Sequence, residues 1–396
     1  MQTPTPRRAR VRNTQLILKK IYGDGPISRA DIARETRLTA PTVSDVVAEL
    51  IKSGLIEEVG LAPSTSGRRA ILLKVVDDSR QVIGIDLSRE YFRGAIANLR
   101  GQVSYRKDIP LEGRDGDSAL TLVYELIDRL IDKAAKPVLG IGIGAPGLVD
   151  ASNGVLQQSV NLNWRYIPFA DLLQKRYELP VYMANDSQAG ALAIYTFGPQ
   201  SDFDKPLIVI NLGWGVGAGI IIEGQLLHGS PVGAGEIGHI TVDPGGDRCA
   251  CGNYGCLETI ASSRSIIRRV RNLAKGNPHS AISDLVSDPD KLDMETIFLA
   301  LEAGNEDVRQ VIKETGEALG IAAANLVGVL GSCQIIIHGS VARFGQLLLD
   351  PMRDTMERRA LAALTRASMV GITPVESDIV IQGAAALVLH NDLGVL

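Results

Sequence analysis

Residues 82–103, VIGIDLSREYFRGAIANLRGQV, read as strand, turn at Asp86, strand, Gly101 turn, strand. About 125 residues later, 207–227, LIVINLGWGVGAGIIIEGQLL, repeat the design around Asn211 and Gly224. A duplicated three-strand meander, each copy followed by helical pattern, implies an α/β body of two lobes facing a cleft. Between the copies, VLGIGIGAPGLVD (138–150) is a buried strand ending in a Gly/Pro turn, followed by SVNLNW (159–164). LPVYMANDSQAGALAIYTFG (179–198) is a strand that ends in Asn185-Asp186 and opens a small-residue helix. That pair can offer acceptors and a donor to vicinal hydroxyls. Helix capping by Asp186 accounts equally well for it.

With 396 residues the chain exceeds one ordinary core. Composition, 45% hydrophobic and 22% charged, is that of a folded soluble protein. The longest apolar stretch, Ile321 to Ile337, is interrupted by Asn325, Gly328, Gly331 and Gln334. It reads as a buried helix feeding a buried strand, not a membrane span. MQTPTPRRARVR lacks the apolar segment of a secretory signal, so a cytoplasmic protein without a membrane partner is expected. Residues 1–80 hold 14 Lys/Arg against 9 Asp/Glu, a surplus of +5. The net charge of −4 therefore leaves −9 for the remainder. A basic head on an acidic body points to an anionic partner for the head alone.

The head has its own grammar. Leu16, Ile17, Leu18 and Ile21 have helical spacing that ends near Gly23-Asp24-Gly25. Ser28 is placed to cap a second helix, with Asp31 at its third position. Thr39 caps a third, with Pro41 in its first turn. Val43, Val46, Val47, Leu50 and Ile51 give that helix an apolar face; Ala40, Thr42, Ser44 and Asp45 lie opposite. Strands at 55–59 and 70–76, joined by a Pro/Ser/Thr/Gly turn and Arg68-Arg69, form a basic-tipped wing. A winged helix-turn-helix is therefore expected over 1–78, reading operator DNA through Arg29, Arg37, Thr39, Ala40, Pro41, Thr42, Ser44, Arg68 and Arg69. Arg7, Arg8, Arg10 and Arg12 suggest an extended arm that tracks a groove.

In the body, GHITVDPGGDRCACGNYGCLET (238–259) carries His239, Cys249, Cys251 and Cys256 with H-x9-C-x-C-x4-C spacing. Three thiolates and an imidazole form a closed tetrahedral set suited to structural zinc. Cys333, in an apolar run, is read as a core residue. Glu236 lies three residues before His239, and Glu258 two after Cys256. One metal-braced loop could thus hold two carboxylates and an imidazole around a polyol.

Taken together, EIGH, CACGNYGCLET, the Asn-Asp pair and the winged helix resemble the ROK family of repressors and sugar kinases, particularly its xylose and N-acetylglucosamine repressor branch. The resemblance implies an actin-like, sugar-kinase body over 79–396. Its lobes would be 79–190 plus the C-terminal helix, and 191–385. It implies sugar binding by Asn185, Asp186, Glu236, His239 and Glu258, with Gly147 and Asn161 as weaker correspondences; Asp186 matches the kinases' general base. Kinase members carry a glycine-rich turn after the first Asp, where this chain has Leu87-Ser88-Arg89-Glu90. Trp214 replaces a small hydroxyl residue, and His338 and Ser340 flank Gly339 where glycines are usual. The phosphate half is degraded, and Asp186 is expected to be vestigial.

The expectation is a sugar-responsive repressor, homodimeric or tetrameric, that sugar releases from its operator by closing the lobes. A working ATP-dependent sugar kinase with a regulatory DNA head is the alternative, and sequestration by a partner protein a third.

Overall fold

The computed structural model describes residues 6–62, 69–198, 205–229, 233–276, 288–373 and 378–395. The chain divides into two compact units, Met1–Ala189 with Asp378–Leu396, and Gly190–Ser377.

The head belongs to the first unit. It comprises α1 (Pro6–Asp24), β1 (Ile27–Ser28), α2 (Arg29–Thr36), α3 (Ala40–Lys52), β2 (Ile56–Leu61) and β3 (Ile71–Val75), with sheet order β1-β3-β2. The expected caps are present: Ser28 Oγ accepts from Asp31 N at 3.2 Å, and Thr39 Oγ1 from Thr42 N at 3.4 Å. Val43, Val46, Val47 and Leu50 are buried with Ile17, Leu18, Ile21 and Ile32. One expectation fails. The N-terminal arginines are not an extended arm, because α1 begins at Pro6 and Arg10 pairs with Glu49 of α3. Arginine is a good helix former, so a stretch with no apolar periodicity could still extend the helix.

Several bonds tie the head to residues 77–100. Tyr22 Oη donates to Leu99 O at 2.7 Å, and Arg100 donates to Tyr22 O at 2.8 Å and Asp77 Oδ1 at 2.9 Å. The Arg100 guanidinium also lies 4.1 Å from the Tyr22 ring centroid. Burial pushes the Tyr22 phenol up to about 12. Arg80 donates to Ser53 O at 2.7 Å.

The rest of the first unit is built on β4 (Gln81–Leu87), β5 (Tyr91–Ala97), β6 (Val103–Pro110), α4 (Gly116–Lys133) and β7 (Val138–Ala145). Then come β8 (Leu148–Asp150), β9 (Val155–Ser159), β10 (Trp164–Ile167), α5 (Phe169–Tyr177), β11 (Val181–Asn185) and the first turn of α6 (Asp186–Phe197), whose remainder from Gly190 belongs to the second unit. The sheet order is β11-β7-β4-β5-β6, with β4-β5-β6 an antiparallel meander and β7 and β11 parallel to β4. In the second unit β12 (Leu207–Leu212), β13 (Val216–Ile222), β14 (Gln225–Leu226), β15 (Gln334–His338) and β16 (Met369–Ile372) take the order β14-β13-β12-β15-β16. Position for position the two sheets match, which is the duplication read in the sequence and the signature of an actin-like body. The first hairpin turns later than expected. Asp86 is inside β4, paired with Arg93, and the bend falls at residues 88–90.

The C-terminal helix Ile379–Val388 packs on β4, β7 and β11 in the first unit. The second unit accordingly ends at Ser377, short of the 385 set from the sequence. Glycines seat this helix: a Cβ on Gly142 would lie 1.7 Å from Ala384 O, and one on Gly84 2.3 Å from Ile381 O. Backbone meets backbone there, so no side chain could be accommodated.

Between β14 and β15 the second unit supplies α7 (Glu258–Ala261), α8 (Ser263–Gly276), α9 (Met294–Glu302) and the long α10 (Glu306–Leu330). The interrupted apolar run is thus the end of α10 and β15, matching the expectation. Among the described residues no helix is long and apolar enough to cross a membrane.

Candidate sugar, metal and DNA sites

Strand β11 ends at Asn185 and α6 begins at Asp186, so both side chains emerge where sheet hydrogen bonding stops. Asn185 Nδ2 donates to Gly147 O at 2.9 Å and its Oδ1 accepts from Ser187 N at 2.9 Å. Gly147 (φ +98°) needs its lack of a side chain, since a Cβ would lie 2.2 Å from Gln158 O. Asp186 Oδ1 accepts from Ser187 N at 2.7 Å, and burial holds the carboxyl above its usual range. Beside it, Asp86 is only 7% exposed. Burial first, then the Asp186 charge, raise Asp86 to about 7, with Arg93 opposing. Asn161 sits exposed in the turn between β9 and β10, with no bond to Gly147 or Asn185 among the described residues.

Near Asp86 the hairpin tip exposes Arg89 and Glu90. In the second unit Trp214 is 43% exposed at the β12–β13 turn. Gly339 (φ +100°) packs against Leu212 O, where a Cβ would lie 2.4 Å away. His338 is buried with no partner for Nε2 among the described residues, and desolvation lowers it to about 4.

The metal loop is tied to β13. Gly235 precedes a short 3-10 turn (Ile237–His239) and Gly238 lies within it, and Cβ atoms on them would meet Ala218 O at 1.8 Å and Val216 O at 2.2 Å. This close approach fixes Glu236, half-buried, and His239. A bridge between Thr241 and Cys256, and another between Arg248 and Tyr254, fold the loop back. Gly255 (φ +64°) lets it turn directly over Asp243 O. The ligand atoms of His239, Cys249, Cys251 and Cys256 lie within 4.8 Å of one another. Cys251 Sγ and Cys256 Sγ are 3.7 Å apart, and Cys249 Sγ and His239 Nδ1 3.6 Å. Sulfur ligands at zinc's usual ~2.3 Å in a tetrahedron would be about 3.7 Å apart, and a sulfur and a nitrogen roughly 3.6 Å. Those two separations match a tetrahedral ion, and the four donors could hold one. Because Nδ1 faces the sulfurs, Nε2 is the ring nitrogen available to another partner.

Glu258 begins α7, 15% exposed at its side chain. Its Oε2 accepts from Val216 N at 3.1 Å and its Oε1 from Arg264 at 3.3 Å. The sequence reading missed Arg264. The break at Ser262 between α7 and α8 removes the helical periodicity that would have paired the two. Cys333 is buried, as expected.

In the head, Ala40, Pro41 and Ser44 are exposed along the start of α3, with Thr42 half-buried. The hydroxyls of Thr39 and Thr42 are 2.9 Å apart and serve the cap. Arg37 ends α2 in the left-handed region (φ 57°), exposed and without an ion pair among the described residues. Arg29 donates to Glu58 at 2.8 Å. Arg69 is exposed, while Arg68 and the wing turn lie outside the described residues.

The profile of the ROK family matches residues 82–391, and a winged helix-turn-helix DNA-binding profile matches 12–57. A protein of Caldicellulosiruptor bescii named xylose repressor is 34% identical over 385 residues, 96% of each chain. The crystal structure of a ROK family transcriptional regulator, described as a homologue of the E. coli MLC protein, superposes with TM-score 0.87 and 29% identity over 98% of both chains. A ROK family glucokinase from Streptomyces griseus, in complex with glucose and AMPPNP, superposes with TM-score 0.68 and 28% identity. The match covers 98% of that enzyme and 78% of this chain.

Proposed function

The chain belongs to the ROK family, and from that premise we propose that it is a sugar-responsive DNA-binding repressor that does not phosphorylate its ligand. One observation carries the reading. An exposed α3 start, capped by Thr39 and backed by a buried apolar face, precedes a ROK body in a single chain. Alignment over 96% of each chain, at 34% identity, with a protein named xylose repressor supports it.

On this reading α3 enters a major groove with Ala40, Pro41, Thr42 and Ser44 at base edges. Thr39, Arg29, Arg37, Arg68 and Arg69 contact the backbone or the adjoining groove. Sugar hydroxyls are taken by Asn185, Asp186, Glu236, Glu258 and the outward nitrogen of His239, with Gly147 and Asn161 at the margin. His239, Cys249, Cys251 and Cys256 hold zinc, which when bound supplies no chemistry beyond fixing the loop. Two heads on a palindromic operator require at least a homodimer. The setting is the bacterial cytoplasm, where thiolates stay reduced.

Selection of duplexes bound by the full chain, followed by titration with a sugar panel, tests this. Enrichment of a two-fold symmetric site, with one sugar weakening binding by about 5–150-fold, is expected. No enriched site, or binding indifferent to every sugar, would overturn it.

The glucokinase similarity favours a second reading, in which the body still transfers phosphate. Exposed Arg89 and Glu90 at the β4–β5 tip, and Trp214 at the β12–β13 tip, count against a triphosphate there. Sugar-dependent ATP turnover lost in Asp186→Asn would establish the enzyme instead.

A further inference from the structure

Next to the metal loop, in the second unit, is a cavity of about 550 Å³ lined by Arg248, Arg264 and Arg268, with Cys249, Thr259 and Ser265 among its other walls. Among the described residues no carboxylate lines it. Arg264 and Arg268 are one turn apart on α8, so they project along the same side of the helix. Arg248 reaches the same space from the loop. It is exposed and makes no ion pair or side-chain hydrogen bond among the described residues. Arg268 donates to Asp247 at 2.7 Å and to Thr259 O at 3.1 Å, and Arg264 to Glu258 at 3.3 Å. Three guanidiniums in one concavity, one of them unpaired and one weakly held, leave a surplus of planar donors. Such forks match tetrahedral oxyanions in bidentate fashion.

We propose that this cavity binds the phosphate group of a small phosphorylated metabolite or free phosphate, as a site separate from the sugar-hydroxyl ligands. A dianion answers three guanidiniums better than a single carboxylate does, and the volume leaves room for a polyol attached to the phosphate. The site communicates with its neighbour through one side chain. Seating phosphate on Arg264 withdraws its bond from Glu258 Oε1 and frees that oxygen for a sugar hydroxyl, so phosphate and sugar binding are coupled. This coupling, unlike the anion site itself, rests on Glu258 being a sugar ligand as proposed above.

The test is calorimetry on the full-length protein at matched ionic strength, with inorganic phosphate, glycerol 3-phosphate, glycerol and acetate as probes. Saturable binding of either phosphate probe is expected, with neither glycerol nor acetate binding or competing. Tighter binding of glycerol 3-phosphate assigns an ester as the source, and equal or weaker binding assigns free phosphate. Arg248→Gln, whose side chain makes no ion pair or hydrogen bond among the described residues, is expected to weaken binding about tenfold at an unchanged melting temperature. Arg264→Gln should act likewise and also abolish any effect of phosphate on sugar affinity. No binding of either phosphate probe, acetate competing as well as phosphate, or Arg248→Gln binding like the parent would overturn the site. Phosphate binding with no sugar bound at all would sink the sugar reading and leave the anion site standing.

Discussion

Two clusters carry the proposed sugar ligands, and they are held in opposite ways. Asn185 and Asp186 sit at the seam of a parallel strand and a helix, fixed by backbone geometry and by bonds to Gly147 and Ser187. Glu236, His239 and Glu258 bracket a loop with almost no regular structure, in which four side chains converge on one point. The first is a by-product of folding the sheet. The second, on the proposed reading, is braced by an ion held among three crowded sulfurs. Loss of one residue should therefore be graded in the first cluster and all-or-none in the second.

The largest effect should come from Cys256→Ser. Three remaining ligands lose the closed set, and structural zinc sites stabilise by on the order of 10 kcal/mol in isolated domains. Elemental analysis should show the metal gone, and hydrogen exchange should show residues 239–257 opened while β11 and α6 stay protected. Equal protection of residues 239–257 in Cys256→Ser and the parent would remove the contrast.

Gly147→Ala attacks the first cluster through its backbone. The added Cβ meets Gln158 O in a left-handed conformation, at a cost of about 2–4 kcal/mol by denaturant titration.

Asp86→Asn should do the reverse. The carboxyl of Asp86 is raised to about 7 in the folded protein, so the native state holds its proton more tightly than the unfolded chain does. Its contribution is full below about pH 4 and is lost as pH rises through 7. The variant should match the parent near pH 4 and gain roughly 2–4 kcal/mol at pH 8. A pH-independent difference would refute the assignment.

Smallest is Asn185→Ala. Losing two bonds of 2.9 Å should cost about 1–2 kcal/mol and leave the metal content untouched.

Much of this fold is legible in the residues alone. Ser28 and Thr39 announce caps because their hydroxyls act within three residues. The cysteines announce a cluster able to hold a metal because their spacing is local. The duplicated meander announces the fold because both copies repeat the same order of apolar runs and turns. What stays hidden is non-local. The bond from Arg264 to Glu258 crosses a helix break. The seating of Ile379–Val388 on Gly84 and Gly142 joins residues more than 200 apart in the chain, and glycine in a strand carries no hint of which neighbour needs the room. The Asp86–Asp186 proximity likewise comes from sheet order, not from either segment alone. Arg10 shows the remaining gap: a charged stretch gives no periodic signal until its partner, Glu49, is known.

The short link between β3 and β4 bears on how the protein can be handled. Tyr22 and Arg100 stitch the head to the β5–β6 turn, and Gly394 abuts Gln15 of α1 so closely that a Cβ there would meet its side chain at 2.7 Å. A fragment cut at residue 78 would strip Tyr22 of its cover and α1 of its support from the C-terminal segment. Anyone wanting the reading head by itself must replace those neighbours or work with the entire polypeptide.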